Sequence, residues 1–185
     1  MPRNFQSFDY NTISDVVLHV RYTAREGGAQ LRTAAEQELQ TALNDFIRVE
    51  GARGLAQMFS LRHDFSTEWS RFMNAPSGTV QSLKMAITKE RFPFLFQGRD
   101  IKIKTMEVYV KVKDGFGDHN VNTMRISLAG ETLGLDTWNN LIRGSKTFNN
   151  VDPGTFTMNA WLNDHDHLNP DAIQDIMVIC RYSCS

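Results

Sequence analysis

Apolar and polar positions alternate over "ISDVVLHVRYTA", residues 13–24. Val16, Leu18, Val20 and Tyr22 fall on one side, and Asp15, Val17, His19 and Arg21 on the other. A period of two is that of a β-strand. Near the other end, "IQDIMVICRYSC", residues 173–184, alternates in the same phase with Ile176, Val178, Cys180 and Tyr182 as its inner set. The two segments are a repeat. Ile13, Asp15, Arg21 and Tyr22 recur as Ile173, Asp175, Arg181 and Tyr182, and Phe8-Asp9 upstream is matched by Leu168-Asn169. Internal similarity bears on the fold. It predicts two equivalent closing strands, either in one sandwich or in two.

After Gly27-Gly28 the period becomes helical. Leu31, Ala35, Leu39, Ala42, Leu43, Phe46 and Val49 recur at threes and fours, and Gly51 and Gly54 mark the end. Two shorter helical pieces are expected next. "LAQMFSLRHDF" groups Leu55, Met58, Phe59 and Leu61, and "STEWSRFMN" offers Ser66 as an N-cap. "NAPSG", residues 74–78, reads as a loop.

From there on the chain reads as strands, at 79–88, 92–97, 100–113, 121–129, 141–148, 155–162 and 173–184. Turn residues such as Asp114-Gly115, Ala129-Gly130 and Asp152-Pro153-Gly154 separate them. Within 100–113 the apolar phase flips from Ile101 and Ile103 to Met106, Val108 and Val110, which calls for a bulge near Thr105. Short connections imply antiparallel pairing, so the expected fold is mainly β, an antiparallel β-sandwich of jelly-roll type. A helical excursion of two to three helices separates the first strand from the rest. The chain is read as a single domain, with a strand in 1–25, the excursion in 26–75 and the sandwich in 76–185.

Composition narrows the function. A net charge of −1 over 185 residues supplies no field for recruiting nucleic acid or an anionic membrane. Runs such as "VVLHV" and "IMVIC" are too short to span a bilayer, and "MPRNFQSFDYN" has no apolar signal core. A chain made in the cytoplasm without a Sec signal is expected, with export by another route left open. Cys180 and Cys184 stand four apart in one strand, which sets their Cα atoms roughly 13 Å apart, beyond the reach of a disulfide.

The candidate chemistry is sparse. "NDHDHLNPD", residues 163–171, places His165 and His167 on one side and Asp164 and Asp166 on the other. These are metal-ligand types, but a polar loop turned by Asn169-Pro170 is the favoured reading, because a transition-metal site draws on more of a fold than one loop. Lys102, Lys104, Lys111 and Lys113 line one long strand with only Tyr109 beside them, which fits a solvated face better than a phosphate track. Trp138 and Trp161 sit beside Asn and Asp, a combination that can serve as a sugar platform together with Asp164 and Asp166, or can pack in the sandwich. Asp15 and Asp175, each in an Asp-x5-Arg-Tyr spacing, read as turn caps. There is no Gly-rich phosphate loop and no nucleophile elbow, and His63-Asp64 has no nucleophile beside it. The residues point to no enzyme and no cofactor.

One resemblance adds to this. "FDYNTISDVVLHVRYTAREGG" (8–28) resembles a stretch near the C-terminal end of the large A subunits of bacterial Tc toxins. "MFSLRHDFSTEWSRF" (58–72) and "ERFPFLFQGR" (90–99) are similar to the C-terminal extension of longer, Tc-like A proteins. The resemblance implies a part in a secreted bacterial toxin complex. The implied partner is a toxin B component or an A-like neighbouring subunit, with self-association left open. The channel-forming parts of such subunits have no counterpart here. The alternative is a lectin-like sandwich that binds a host glycan or receptor.

Overall fold

The computed structural model describes residues 27–76, 78–163 and 166–185, without the side chains of residues 47, 48 and 50–53. The 13–24 segment, with Asp15, lies outside the described residues, as do Asp164 and His165. The chain divides into two compact units, residues 1–40 and 41–185. The first helix, α1 (Gly28–Arg53), runs through Gly51 and stops at Gly54, whose φ of +87° suits glycine. Of its apolar stripe, Leu31 and Leu39 in the first unit are 62% and 61% exposed, and Phe46 and Val49 in the second are 49% and 43% exposed.

The second unit is mainly β. Its strands are β1 (Leu55–Ser60), β2 (Gln81–Ile87), β3 (Ile101–Val112), β4 (Met124–Leu128), β5 (Glu131–Thr132), β6 (Leu135–Trp138), β7 (Leu141–Val151), β8 (Gly154–Leu162) and β9 (Ile173–Cys184). They form two antiparallel sheets, one ordered β1-β9-β3-β7-β6 and the other β2-β8-β4-β5. Strands alternate between the sheets at both ends of the sequence, which is the interleaving of a jelly-roll sandwich. No barrel closes. One apolar core lies between the sheets, fed by Leu83, Met85 and Met158 from one and by Val108, Val178 and Cys180 from the other. Small helices α2 (Leu61–Asp64), α3 (Ser66–Met73) and α4 (Phe94–Gln97) cover part of it through Leu61, Phe72 and Phe96.

The bulge is where the change of phase put it, since β3 shifts register against both neighbours between Ile103 and Thr105. Other expectations need correction. Residues 55–60, read as helical, form β1, pairing Phe59 with Val178 of β9. Leu55, Phe59 and Leu61 also satisfy a period of two, with Met58 out of phase and 58% exposed, and β9 offers a strand edge to pair with. Residues 92–97, read as a strand, hold α4 instead. Pro93 has no N–H for a ladder, while Phe92 and Phe96, four apart, are buried together and Phe94 between them is 85% exposed. Ser66 is the first residue of α3 and not its cap. That place belongs to buried Phe65, whose carbonyl accepts from the Trp69 N–H at 2.8 Å.

Candidate functional site

β9 shows what the repeated residues do. Ile173 is buried, and Asp175 turns the chain between β1 and α2. Its carboxylate accepts from the Ser60 hydroxyl at 2.7 Å, the Arg62 N–H at 3.3 Å and the Ile176 N–H at 2.7 Å. Arg181 points outward and donates to both carboxylate oxygens of Glu107, at 2.9 and 3.3 Å. Tyr182 points inward against Phe92 and Phe96, with ring centroids 4.8 and 6.2 Å away. Burial pushes its phenol up to about 12.

The outer face of the five-stranded sheet carries a polar network around Tyr109. Arg181 beside Glu107 lowers that carboxyl, and the Tyr109 hydroxyl donates to it at 3.1 Å. Arg143 holds Asp136 through two hydrogen bonds of 3.0 and 2.6 Å. Trp138 lies edge-on to Tyr109, with centroids 5.8 Å apart, and is half-exposed at the rim of this network. Lys102 on β3 is bound by Asp152 at 2.7 Å and by Asp100 at 3.3 Å, so the lysine line has a neutralised end.

Trp161 faces the other way. Along β8 the side chains of Phe156, Met158 and Ala160 are buried in the core, so Asn159 and Trp161 belong to the outer face of the four-stranded sheet. Strand register sets a row across that face: Thr132 of β5 opposite Ser127 of β4, Ser127 opposite Asn159 of β8, and Asn159 opposite Ser82 of β2. The Asn159 amide donates to the Ser127 hydroxyl at 3.2 Å. Trp161 stands one step along β8 from this row. Thr132, Ser127, Asn159 and Trp161, together with Gly78–Gln81, Gly130 and His167, line a cleft of about 690 Å³.

One wall of the cleft is fixed by buried Gln81. Its amide donates to the Phe72 and Leu168 carbonyls at 3.2 and 3.3 Å, and its oxygen accepts from the Leu168 N–H at 2.6 Å. His167 Nε2–H donates to the Thr79 carbonyl, so the same loop is pinned twice, to Gln81 at the start of β2 and to Thr79 just before it. Behind it, buried His119 accepts the Asn169 N–H on Nε2 at 3.0 Å and donates from Nδ1 to Asp118 at 3.0 Å. No local motif marked Gln81 or His119, because the bonds that tie them to the 166–169 loop, to Leu168 and Asn169, span 87 and 50 residues.

The sugar-platform candidates are therefore separated. Trp138 and Trp161 occupy opposite outer faces, and Asp166 is exposed without lining the cleft. His167 is committed through Nε2 to a carbonyl. Among the described residues no three His, Cys, Asp or Glu side chains come together as a metal site, and no helix is long and apolar enough to cross a membrane. No protein-family model matches the chain, and neither does any curated protein or any solved structure.

Proposed function

We propose that the chain is a non-catalytic assembly module that binds another protein subunit through exposed apolar side chains. The observation that carries this is the apolar stripe of α1 left in water, with Phe46 and Val49 in the second unit and Leu31 and Leu39 in the first. Large apolar side chains in such numbers mark interaction surfaces. α4 adds Phe94 and Leu95, both exposed, and Arg99 just beyond it donates to Asn44 of α1 at 2.7 Å, which brings the two elements of the second unit together. The repeat supports the same reading. In β9 three of the shared residues, Asp175, Arg181 and Tyr182, use the Ser60–Arg62 turn, Glu107 and the phenylalanine cluster.

The partner class follows from the resemblance to Tc toxin A subunits: a Tc-type B component or an A-like subunit of a secreted bacterial complex. Immobilised chain is expected to retain a purified component of this kind. Retention is expected to fall when residues 1–24 are deleted, and again in the Phe46→Ser, Phe94→Ser double variant, with the melting temperature of the sandwich preserved. Failure of the intact chain to retain either component overturns the assignment of partner.

A further inference from the structure

We propose that the cleft on the outer face of the four-stranded sheet binds a neutral carbohydrate. Its floor is the Thr132–Ser127–Asn159 row, set by strand register, and its side is Trp161. At about 690 Å³ it falls within the roughly 300–1,000 Å³ of small-molecule sites. Among the described residues its lining contains no Lys, Arg, Asp or Glu. Among the described lining residues a phosphate, a carboxylate or a cation finds no Lys, Arg, Asp or Glu as counter-charge, which favours an uncharged ligand rich in hydroxyls.

The remaining features fit a sugar ring. The half-buried indole of Trp161 and the exposed Val80 provide apolar surface for the C–H face of a pyranose. Asn159 spends one amide N–H on Ser127, which leaves its carbonyl oxygen to accept and a second N–H to donate, while the Ser127 O–H can still donate. Among the described residues the Thr132 hydroxyl makes no hydrogen bond, so the row offers donors and acceptors in alternation, as vicinal hydroxyls require. The site is also rigid. Gln81 and His167 fix the wall, so little ordering is needed on binding. Jelly rolls include lectins, but the inference rests on this cleft and not on the fold.

The test is a panel of neutral oligosaccharides (lactose, maltotriose, cellotriose, chitotriose and mannotriose) titrated against the full chain by tryptophan fluorescence and by saturation-transfer NMR. Saturable binding to at least one is expected, weakened at least about tenfold in Trp161→Ala, as loss of a stacking ring implies. Trp161→Phe keeps part of it. Thr132→Ala, at an exposed position that the core does not use, also weakens it, which covers the case of Trp161→Ala failing to fold. Trp138→Ala, on the opposite face, leaves binding unchanged. Absence of saturable binding across the panel overturns the proposal, and so does binding that survives both Trp161→Ala and Thr132→Ala. Either result leaves the subunit-binding surface of α1 and α4 untouched, so the two readings fail separately.

Discussion

The Asp175 carboxylate accepts the Ser60 hydroxyl at 2.7 Å, tying the start of the last strand to the end of the first described one. Ser60 Oγ in turn accepts the His63 N–H at 3.2 Å as N-cap of α2, and the Asp64 carboxylate returns the favour to the Ser60 N–H at 2.7 Å. Asp175→Ala therefore strips a charged acceptor from two backbone N–H groups and one hydroxyl. A loss of about 2 kcal/mol is expected in denaturant unfolding. Ser60→Ala is expected to cost about 1 kcal/mol. The double variant is expected to cost less than the sum, because both changes remove the same bond. Strict additivity would separate the two residues energetically.

The ion pair between Arg181 and Glu107 gives the fold an acid limb. The guanidinium is the main cause of the lowered Glu107 pKa, with the Tyr109 hydroxyl helping against desolvation. Because the folded value lies below the usual 4.5, the contribution is full above 4.5 and disappears as pH falls through the folded value. Arg181 is about half exposed, so the effect is at most about 1 kcal/mol. Glu107→Gln is expected to lower stability at neutral pH and to flatten its decline toward about pH 3 in denaturation midpoints. An unchanged acid slope in that variant would place the acid sensitivity elsewhere.

Both cysteines are buried on the inner face of β9, and burial pushes the Cys180 thiol up to about 12. Cys184 is also raised, chiefly by burial. The thiolate is the reactive form, so iodoacetamide at about pH 8 is expected to label neither residue in the native protein and both after unfolding. Mass spectrometry reads the outcome directly. Rapid native labelling of Cys180 would contradict its position in the core.

Tyr182 completes the phenylalanine cluster with its ring rather than its hydroxyl. Tyr182→Phe is expected to change stability by less than about 0.5 kcal/mol, while Tyr182→Ala opens a cavity costing about 3–5 kcal/mol. Thermal or urea unfolding of the two variants distinguishes the contributions. A large loss in Tyr182→Phe would show a hydroxyl contact of real weight.

Gly144 on β7 faces the turn before β6. A Cβ there would meet Leu135 Cδ2 at 2.7 Å and Leu133 Cβ at 3.0 Å. The first atom ends a flexible side chain and can move, but the second sits next to backbone. Gly144→Ala is expected to cost about 1–3 kcal/mol by overpacking, and a neutral result in urea unfolding would mean that the turn yields.

Long alternating runs were legible from the residues alone. The segments read at 79–88, 155–162 and 173–184 differ from β2, β8 and β9 by at most two residues at an end. β5 and β6 were missed because runs of two and four residues carry no periodicity. The available signal was Asn139-Asn140, with φ of 47° and 60°, a pair suited to the tight hairpin between Trp138 and Leu141. The cleft shows the same limit. Trp161 and His167 could be named from local composition, but Thr132, Ser127 and Asn159 become neighbours only through register across three strands. Composition paired Trp138 with Trp161, yet alternation in two different sheets sends them to opposite faces.

The central claim, that exposed apolar side chains of α1 and α4 serve assembly, is tested most directly by sedimentation velocity. The chain would be run alone and mixed with a purified Tc-type B component, beside the Phe46→Ser, Phe94→Ser variant. The chain is expected to sediment as a species larger than its 21.1 kDa monomer, alone or in the mixture, and the variant to return to the monomer with its sandwich intact. A wild-type chain that remains monomeric in both runs would contradict it.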